Sequence, residues 1–324
     1  MPQISARPNA RATTLKTGRL HRSRLASVLA VAALATGGLA LAAPAGASES
    51  YAEQVVPARA TATDACGPLV AKSTGSTWSC TFVDNFSGST LDRSKWTPIT
   101  TEASGFRNGP ECFVDSPDNI SVGLGVLTLR AKSTEPFTCR DPKGAFTTSY
   151  TGASVSTWGK FSQAYGRFEI RAAFPATKVA GVHSALWLWP QDQTKYGAWP
   201  LSGEIDIAEF YSRYPDRAIP YLHYWESNPY DTTVTNNYCL VKNPSWFHTY
   251  VAEWTPTRIK ISYDGKTCID HAISPAAPLT GSAPFDQPFI VALTQALGIG
   301  GNAFDPATTP LPAATRIDYV KVWS

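Results

Sequence analysis

Three carboxylates fall close together in an otherwise apolar run: Glu204, Asp206 and Glu209 in Ala198-Trp-Pro-Leu-Ser-Gly-Glu-Ile-Asp-Ile-Ala-Glu-Phe-Tyr211. In an extended chain Glu204 and Asp206 share a face, whereas Glu209, an odd number of positions on, points the other way. One extra residue near Ile207-Ala208, a β-bulge, restores the parity and brings all three acids onto one surface. Crowding them there costs free energy through mutual repulsion, from which a purely structural strand gains nothing. Two carboxyls about 5 Å apart are what retaining glycoside hydrolysis requires. In that chemistry Glu204 attacks the anomeric carbon, and Glu209 protonates the leaving oxygen and then activates water. Asp206, between them, shares a hydrogen bond with the nucleophile and by its charge helps keep Glu209 protonated. An acidic calcium site, or a solvated strand face with no chemistry, would use the same residue types, and the segment alone leaves both open.

The neighbouring aromatic residues favour a sugar. Trp187 and Trp189 share strand parity, Trp199 immediately precedes the acidic strand, and Trp225 follows His223-Tyr224 on a neighbouring strand. Aromatic faces suit the apolar C–H faces of pyranose rings, although most tryptophans of a β-sandwich belong to its core. Other chemistries lack their residues. Gly265-Lys-Thr267 resembles the end of a phosphate loop, but Lys260 stands where that motif needs its first glycine. There is no Gly-x-Ser-x-Gly elbow, no His-Glu-x-x-His and no helix-loop-helix calcium loop. With no Cys-x-x-Cys pair, and with His183, His223, His248 and His271 scattered, zinc has no ligand set.

The elements that must hold the acids are strands. From Trp78 onward no helix-period segment of useful length occurs, but many short period-two runs do, separated by Gly, Pro, Asn and Asp. In Tyr165–Phe174, Phe168, Ile170 and Ala172 alternate with Arg167, Glu169 and Arg171. Ile120–Ala131 reads as two strands about Gly123-Leu-Gly125, Arg258–Asp270 as two about Asp264-Gly265, and Ile317–Trp323 as the closing strand. Ten or more strands without covering helices must stack as two sheets or close as a barrel. An all-β jelly-roll sandwich of two antiparallel sheets is therefore expected, without repeats of propeller or solenoid length.

The 324 residues are ample for a sizeable core, and 43% hydrophobic against 16% charged residues excludes a disordered chain. The formal charge is +3. Arg7, Arg11, Lys16, Arg19, Arg22 and Arg24 all precede residue 48 and no acid does; without them 22 basic residues face 25 acidic ones, a net of −3. A slightly acidic remainder without a Lys/Arg run is no nucleic-acid binder. Basic residues, then the apolar run Leu25–Ala43, then Ala45-Gly-Ala47 read as a secretory signal peptide over residues 1–47, cleaved after Ala47. Residues 48–78, rich in Ala, Thr, Ser and Pro, read as a linker or loose extension, and 79–324 as the catalytic domain. All six cysteines follow the cleavage point, an even number that in an exported chain reads as disulfides. Proximity along the chain pairs Cys66 with Cys80, Cys112 with Cys139 and Cys239 with Cys268. The mature protein is expected to be extracellular, monomeric and off the membrane.

Gly203-Glu-Ile-Asp-Ile-Ala-Glu209 resembles the Glu-x-Asp-x-x-Glu signature of glycoside hydrolase family 16, in its bulge-bearing laminarinase-like branch. Phe82-Val-Asp-Asn-Phe-Ser-Gly88, Gly125-Val-Leu-Thr-Leu129, Trp187-Leu-Trp-Pro190, Phe247-His-Thr-Tyr-Val-Ala-Glu-Trp254 and Ile317-Asp-Tyr-Val-Lys-Val322 look like that family's segments in its order, covering roughly residues 79–324. The resemblance implies a jelly roll with a concave glycan-binding face, a polysaccharide substrate and the three acids in the roles above. It also implies that Trp199 lines the subsite at the cleaved bond. The expected activity is endo-hydrolysis of β-1,3-glucan. Mixed-linkage glucan, a β-galactan, another wall polysaccharide or transglycosylation remain alternatives within the mechanism, and a non-hydrolytic glycan binder is the alternative outside it. Where many laminarinases carry Trp-Pro-Ala-Phe-Trp, this chain has His183-Ser-Ala-Leu-Trp187, so the first Trp is missing, and Thr294-Gln295 is a second departure. Trp187, His223 and Gln295 are candidate substrate contacts. No cofactor is required; the family often holds a structural calcium near the closing strand, where Asp318 fits, but Asn85 replaces a common Glu.

Overall fold

Period-two patterning becomes strands along most of the computed structural model, which describes residues 62–324. The signal peptide and residues 48–61 of the expected extension lie outside the described residues. The first strands are β1 (Thr63–Asp64), β2 (Gly67–Pro68), β3 (Cys80–Asp84), β4 (Thr97–Pro98), β5 (Cys112–Phe113) and β6 (Ile120–Gly123). Then come β7 (Val126–Cys139), β8 (Phe146–Ser156), β9 (Gly166–Ala173), β10 (Val182–Pro190), β11 (Glu204–Tyr211) and β12 (Ile219–His223). The last are β13 (His248–Thr255), β14 (Arg258–Tyr263), β15 (Lys266–Ala272), β16 (Phe289–Leu297) and β17 (Ala313–Trp323). Among the described residues the only α-helix is one turn, α1 (Thr101–Ser104), capped by Thr100 and ended by Gly105.

Neighbouring strands run in the order β12-β11-β10-β16-β8-β7-β17-β9-β13-β14-β15. Their pairings are antiparallel; β5, which joins β8 in parallel, lies off this path. The long strands β7 and β8 join two sheets: one half of β8 pairs with β7 and the other with β16. The result is the expected jelly-roll sandwich, with β12, β11, β10 and β16 in a front sheet and β17, β9, β13, β14 and β15 in a back sheet. Alternation explains the core. Leu186, Leu188, Ile205 and Phe210 of the front sheet meet Phe168, Ile170, Tyr250 and Trp254 of the back sheet, all at most 1% exposed. Phe174 and Phe210 stack with ring centres 5.3 Å apart. Burying each such side chain contributes about 1.5–3 kcal/mol.

Residues 62–78 are not a loose extension. β1 pairs with β2, Cys66 is buried, and its disulfide to Cys80 ties this hairpin to β3. Asp64 reinforces the corner, accepting N–H bonds from Cys66 and Cys80. The domain therefore begins before residue 79; a cross-link supplies what a low-hydrophobicity segment lacks. The other two disulfides are Cys112–Cys139 and Cys239–Cys268, as expected from proximity. No helix among the described residues is long and apolar enough to cross a membrane.

Candidate active site

Strand β11 lies between β10 and β12, and its register changes where the acids need it to. Against β10, Ala208 faces Leu186 and Asp206 faces Trp187, which leaves Ile207 without an opposite residue. Against β12, Glu204 faces His223 and Asp206 faces Tyr221, while Glu209 faces Ile219. The extra residue is thus Ile207, inside the span that parity requires. Its carbonyl accepts the Tyr263 hydroxyl at 2.8 Å from the back sheet. Ile205, Ala208 and Phe210 then turn into the core while Glu204, Asp206 and Glu209 share the outer face of the front sheet. At the strand's start Gly203 has φ +82°, and a Cβ there would lie 2.8 Å from Pro284 Cγ; glycine lets the chain enter β11 at this angle.

Each acid has a distinct neighbour. The indole N–H of Trp199 donates to Glu204 Oε2 at 2.7 Å. His223 Nε2 lies 3.1 Å from Asp206 Oδ2, and its ring stacks on Tyr221 with centres 4.0 Å apart and lies 5.2 Å from Trp199. Glu209 Oε1 accepts the Tyr211 hydroxyl at 2.9 Å and meets His183 Nε2 at 3.0 Å. One atom each of Glu204, Asp206 and His223 lies within 4.8 Å of the others, a compact set. Its imidazole makes it a poor calcium site, since calcium selects oxygen ligands. Burial raises the Tyr221 hydroxyl pKa, and the charges of Glu226, Glu209 and Asp206 raise it further, so it stays a protonated donor at the face.

Sequence-expected contacts divide by parity. Trp199 and His223 stand at the Glu204 end of the acid row. Trp187 is on the same face but covered: its ring stacks on Phe106 at 5.9 Å, and its N–H donates to Thr294 Oγ1 at 3.0 Å. Gln295 is a correction. It faces inward and is fully buried, accepting from Ser184 and Thr315 and donating to the carbonyls of His183 and Ala296. Its neighbour Thr294 takes the outward position, so Gln295 braces the two sheets instead of touching a ligand. Asp318 is engaged by the Arg171 guanidinium, and no metal-capable cluster among the described residues includes it. One carboxylate beside a fixed positive charge does not fit a calcium ion.

Four residues were not singled out from the sequence: His183, Tyr211, Tyr221 and Tyr263. Tyr211 is two positions beyond Glu209, and His183 shares the parity of Trp187, so periodicity carried the signal once the outward face was known. A pocket at the Glu209 end is lined by Phe106, Arg107, Asn108, His183, Trp187 and Thr294. The loop bearing the first three is held from below by Glu111, fully buried, which accepts the N–H groups of Asn108 and Gly109. Burial pushes the Glu111 carboxyl up to about 7, against the pull of those N–H groups.

A jelly roll whose outer face carries a bulged row of three acids is the frame of a polysaccharide-cleaving enzyme. The chain belongs to glycosyl hydrolases family 16, whose family model matches residues 113–307. Over 259 residues it is 32% identical to glucan endo-1,3-beta-glucosidase A1 of Niallia circulans, covering 74% of this chain and 37% of that protein. Over 218 residues it is 35% identical to a beta-glucanase of Rhodothermus marinus, covering 64% of this chain and 70% of that one. The fold matches the solved endo-beta-1,3-glucanase of Pyrococcus furiosus with a TM-score of 0.66 and 26% identity, over 79% of this chain and 97% of that chain. The chain thus spans little more than a third of the Niallia relative's length.

Proposed function

We propose that this chain is an exported, monomeric, retaining endo-β-glycosidase that cleaves β-1,3-glucan. The observation that supports it most is the bulge at Ile207, which turns Glu204, Asp206 and Glu209 to one face. In the first step a Glu204 carboxylate oxygen bonds to the anomeric carbon as the bond from that carbon to the leaving oxygen breaks. The Glu209 proton passes to that oxygen. In the second, Glu209 takes a proton from water, the water oxygen bonds to the anomeric carbon, and the ester to Glu204 breaks. The Trp199 indole N–H aims Glu204, and the Asp206–His223 pair fixes the carboxylate between the two working acids. Relatives named as endo-1,3-beta-glucosidase and beta-glucanase support the linkage.

The test is product release by the purified protein from laminarin, mixed-linkage glucan, agar-type galactan and xyloglucan, with Glu204→Ala as the blank. Short β-1,3 oligosaccharides from laminarin, absent in the blank, are the expected result. Binding without release from any glycan would reject hydrolysis in favour of recognition. N-terminal sequencing of the exported protein should begin at Ser48.

A further inference from the structure

Where family resemblance leads one to expect a tryptophan, this chain places His183, and the imidazole lands on the acid at the end of the row. His183 is 5% exposed and pairs across β10–β11 with Tyr211, their rings stacked 4.7 Å apart at 24°. Both aim at one atom: Glu209 Oε1 meets His183 Nε2 at 3.0 Å and the Tyr211 hydroxyl at 2.9 Å. The His183 tautomer follows from its other nitrogen. Nδ1 is buried and meets no partner among the described residues. A proton on Nδ1 would bury an N–H without an acceptor, a rarer and costlier defect than an unused lone pair, so the neutral ring carries its proton on Nε2. Both lone pairs of Glu209 Oε1 are then occupied by donors.

We propose that His183 is a positioning residue that, with Tyr211, confines the catalytic proton of Glu209 to Oε2 and holds that carboxyl in one rotamer. The proposal rests on Glu209 being the acid/base. Oε2 gives its proton to the leaving oxygen in the first step and receives one from water in the second. Between them Oε1 keeps both donors, whose bonds strengthen as the carboxylate forms. His183 thus makes Glu209 a stronger and better-aimed acid than the charges of Glu204 and Asp206 alone would allow. Besides Glu204 and Asp206, the titratable groups that feel the Glu209 charge include Tyr221 of β12 and Tyr263 of β14. All of them are unchanged by substitution at 183.

The experiment compares wild type, His183→Phe and His183→Gln. Phenylalanine keeps the stack on Tyr211 and removes the donor, whereas glutamine keeps an N–H and cannot titrate. With His183→Phe the basic limb of kcat/KM on laminari-oligosaccharides should move up by about one pH unit, the size of one lost bond to a charged group, with kcat/KM at neutral pH down about tenfold. An aryl glycoside with a dinitrophenolate leaving group, which departs unprotonated, should be cleaved at the wild-type rate. Glutamine should restore the limb. Equal losses on both substrates, or an unmoved limb, would overturn the proposal. Independently of any turnover, 13C NMR titration of Glu209 should show its pKa raised by about one unit in His183→Phe. An unchanged value rejects the role of His183 whatever glycan is cleaved. Should His183→Phe not fold, Tyr211→Phe removes the other donor to Oε1 and must shift the titration in the same direction.

Discussion

Two outer faces of the same sandwich each carry a row of carboxylates, and the rows are held in opposite ways. On the back sheet Glu169, Glu253 and Asp318 stand on adjacent strands and are held by guanidinium groups. Arg167 reaches both Glu169 and Glu253, at 2.5 and 2.6 Å, and Arg171 reaches Asp318. On the front sheet Glu204, Asp206 and Glu209 are held by an indole, two imidazoles and a phenol. A guanidinium is a permanent counter-charge, since it cannot release its proton. Partners that are not fixed cations orient a carboxyl without pinning its charge. Partner type, more than the number of acids, separates a surface that tolerates charge from one that can move protons.

The largest expected effect breaks the front row. Glu204→Ala should lower turnover by about 10⁴-fold or more, whereas Glu253→Ala, the loss of an acid of similar local density, should leave kcat/KM within about twofold. Comparable losses from both would mean that acid crowding, not chemistry, distinguishes the two faces.

Next in size is a buried carboxyl that belongs to neither face. Glu111 has its pKa pushed up to about 7 by burial, from an ordinary value of 4.5. Between those values the folded chain keeps a proton that the unfolded chain has released. Its contribution to stability is therefore complete below pH 4.5, declines as pH rises, and is lost above pH 7, a change of about 3 kcal/mol. His271, whose pKa is lowered by burial, has the opposite slope, its contribution being lost as pH falls. Denaturant unfolding of wild type and Glu111→Gln at several pH values isolates the first effect. A difference independent of pH would show that Glu111 stays ionised under the loop.

Tyr263→Phe sharpens the comparison by attacking the bulge itself. Its hydroxyl donates to the Ile207 carbonyl from the opposite sheet, and removing it takes that hydrogen bond from a buried acceptor. A loss of about 1–3 kcal/mol in unfolding free energy is expected, with a fall in kcat at little change in KM as the acid row loosens. An unaltered kcat would show that the core side chains alone hold the bulge.

The bulge was legible in the sequence because it resolves a conflict: three acids with the wrong parity for one face allow a single repair, and Ile207 is where the register makes it. Sandwich class and hairpins were legible for the same reason, period two against Gly-rich turns. Gln295 was not, because Thr294 and Gln295 point to opposite faces and only the pairing of β16 with Trp187 decides which is outside. Asp318 failed differently. Its partner Arg171 is 147 residues away, so its charge balance exists only in the folded sheet. The Cys66 hairpin was misread as loose because composition cannot weigh a cross-link.

The smallest effect concerns Asp318. If the guanidinium of Arg171 already balances this carboxylate, chelation and added calcium should each shift the melting temperature by less than about 1 °C. Asp318→Asn should cost no more than about 1 kcal/mol, as for other half-exposed ion pairs. Removing the cation is the sharper probe. In Arg171→Met, Asp318 keeps its charge beside an apolar stem, and the back face then has an acid without a fixed counter-charge, closer to the state of the front row. If calcium now raises the melting temperature of that variant by several degrees, the arginine stands where a metal would otherwise be needed. If calcium still does nothing, Asp318 lacks the further oxygen ligands that calcium requires, and the guanidinium is an ordinary surface partner.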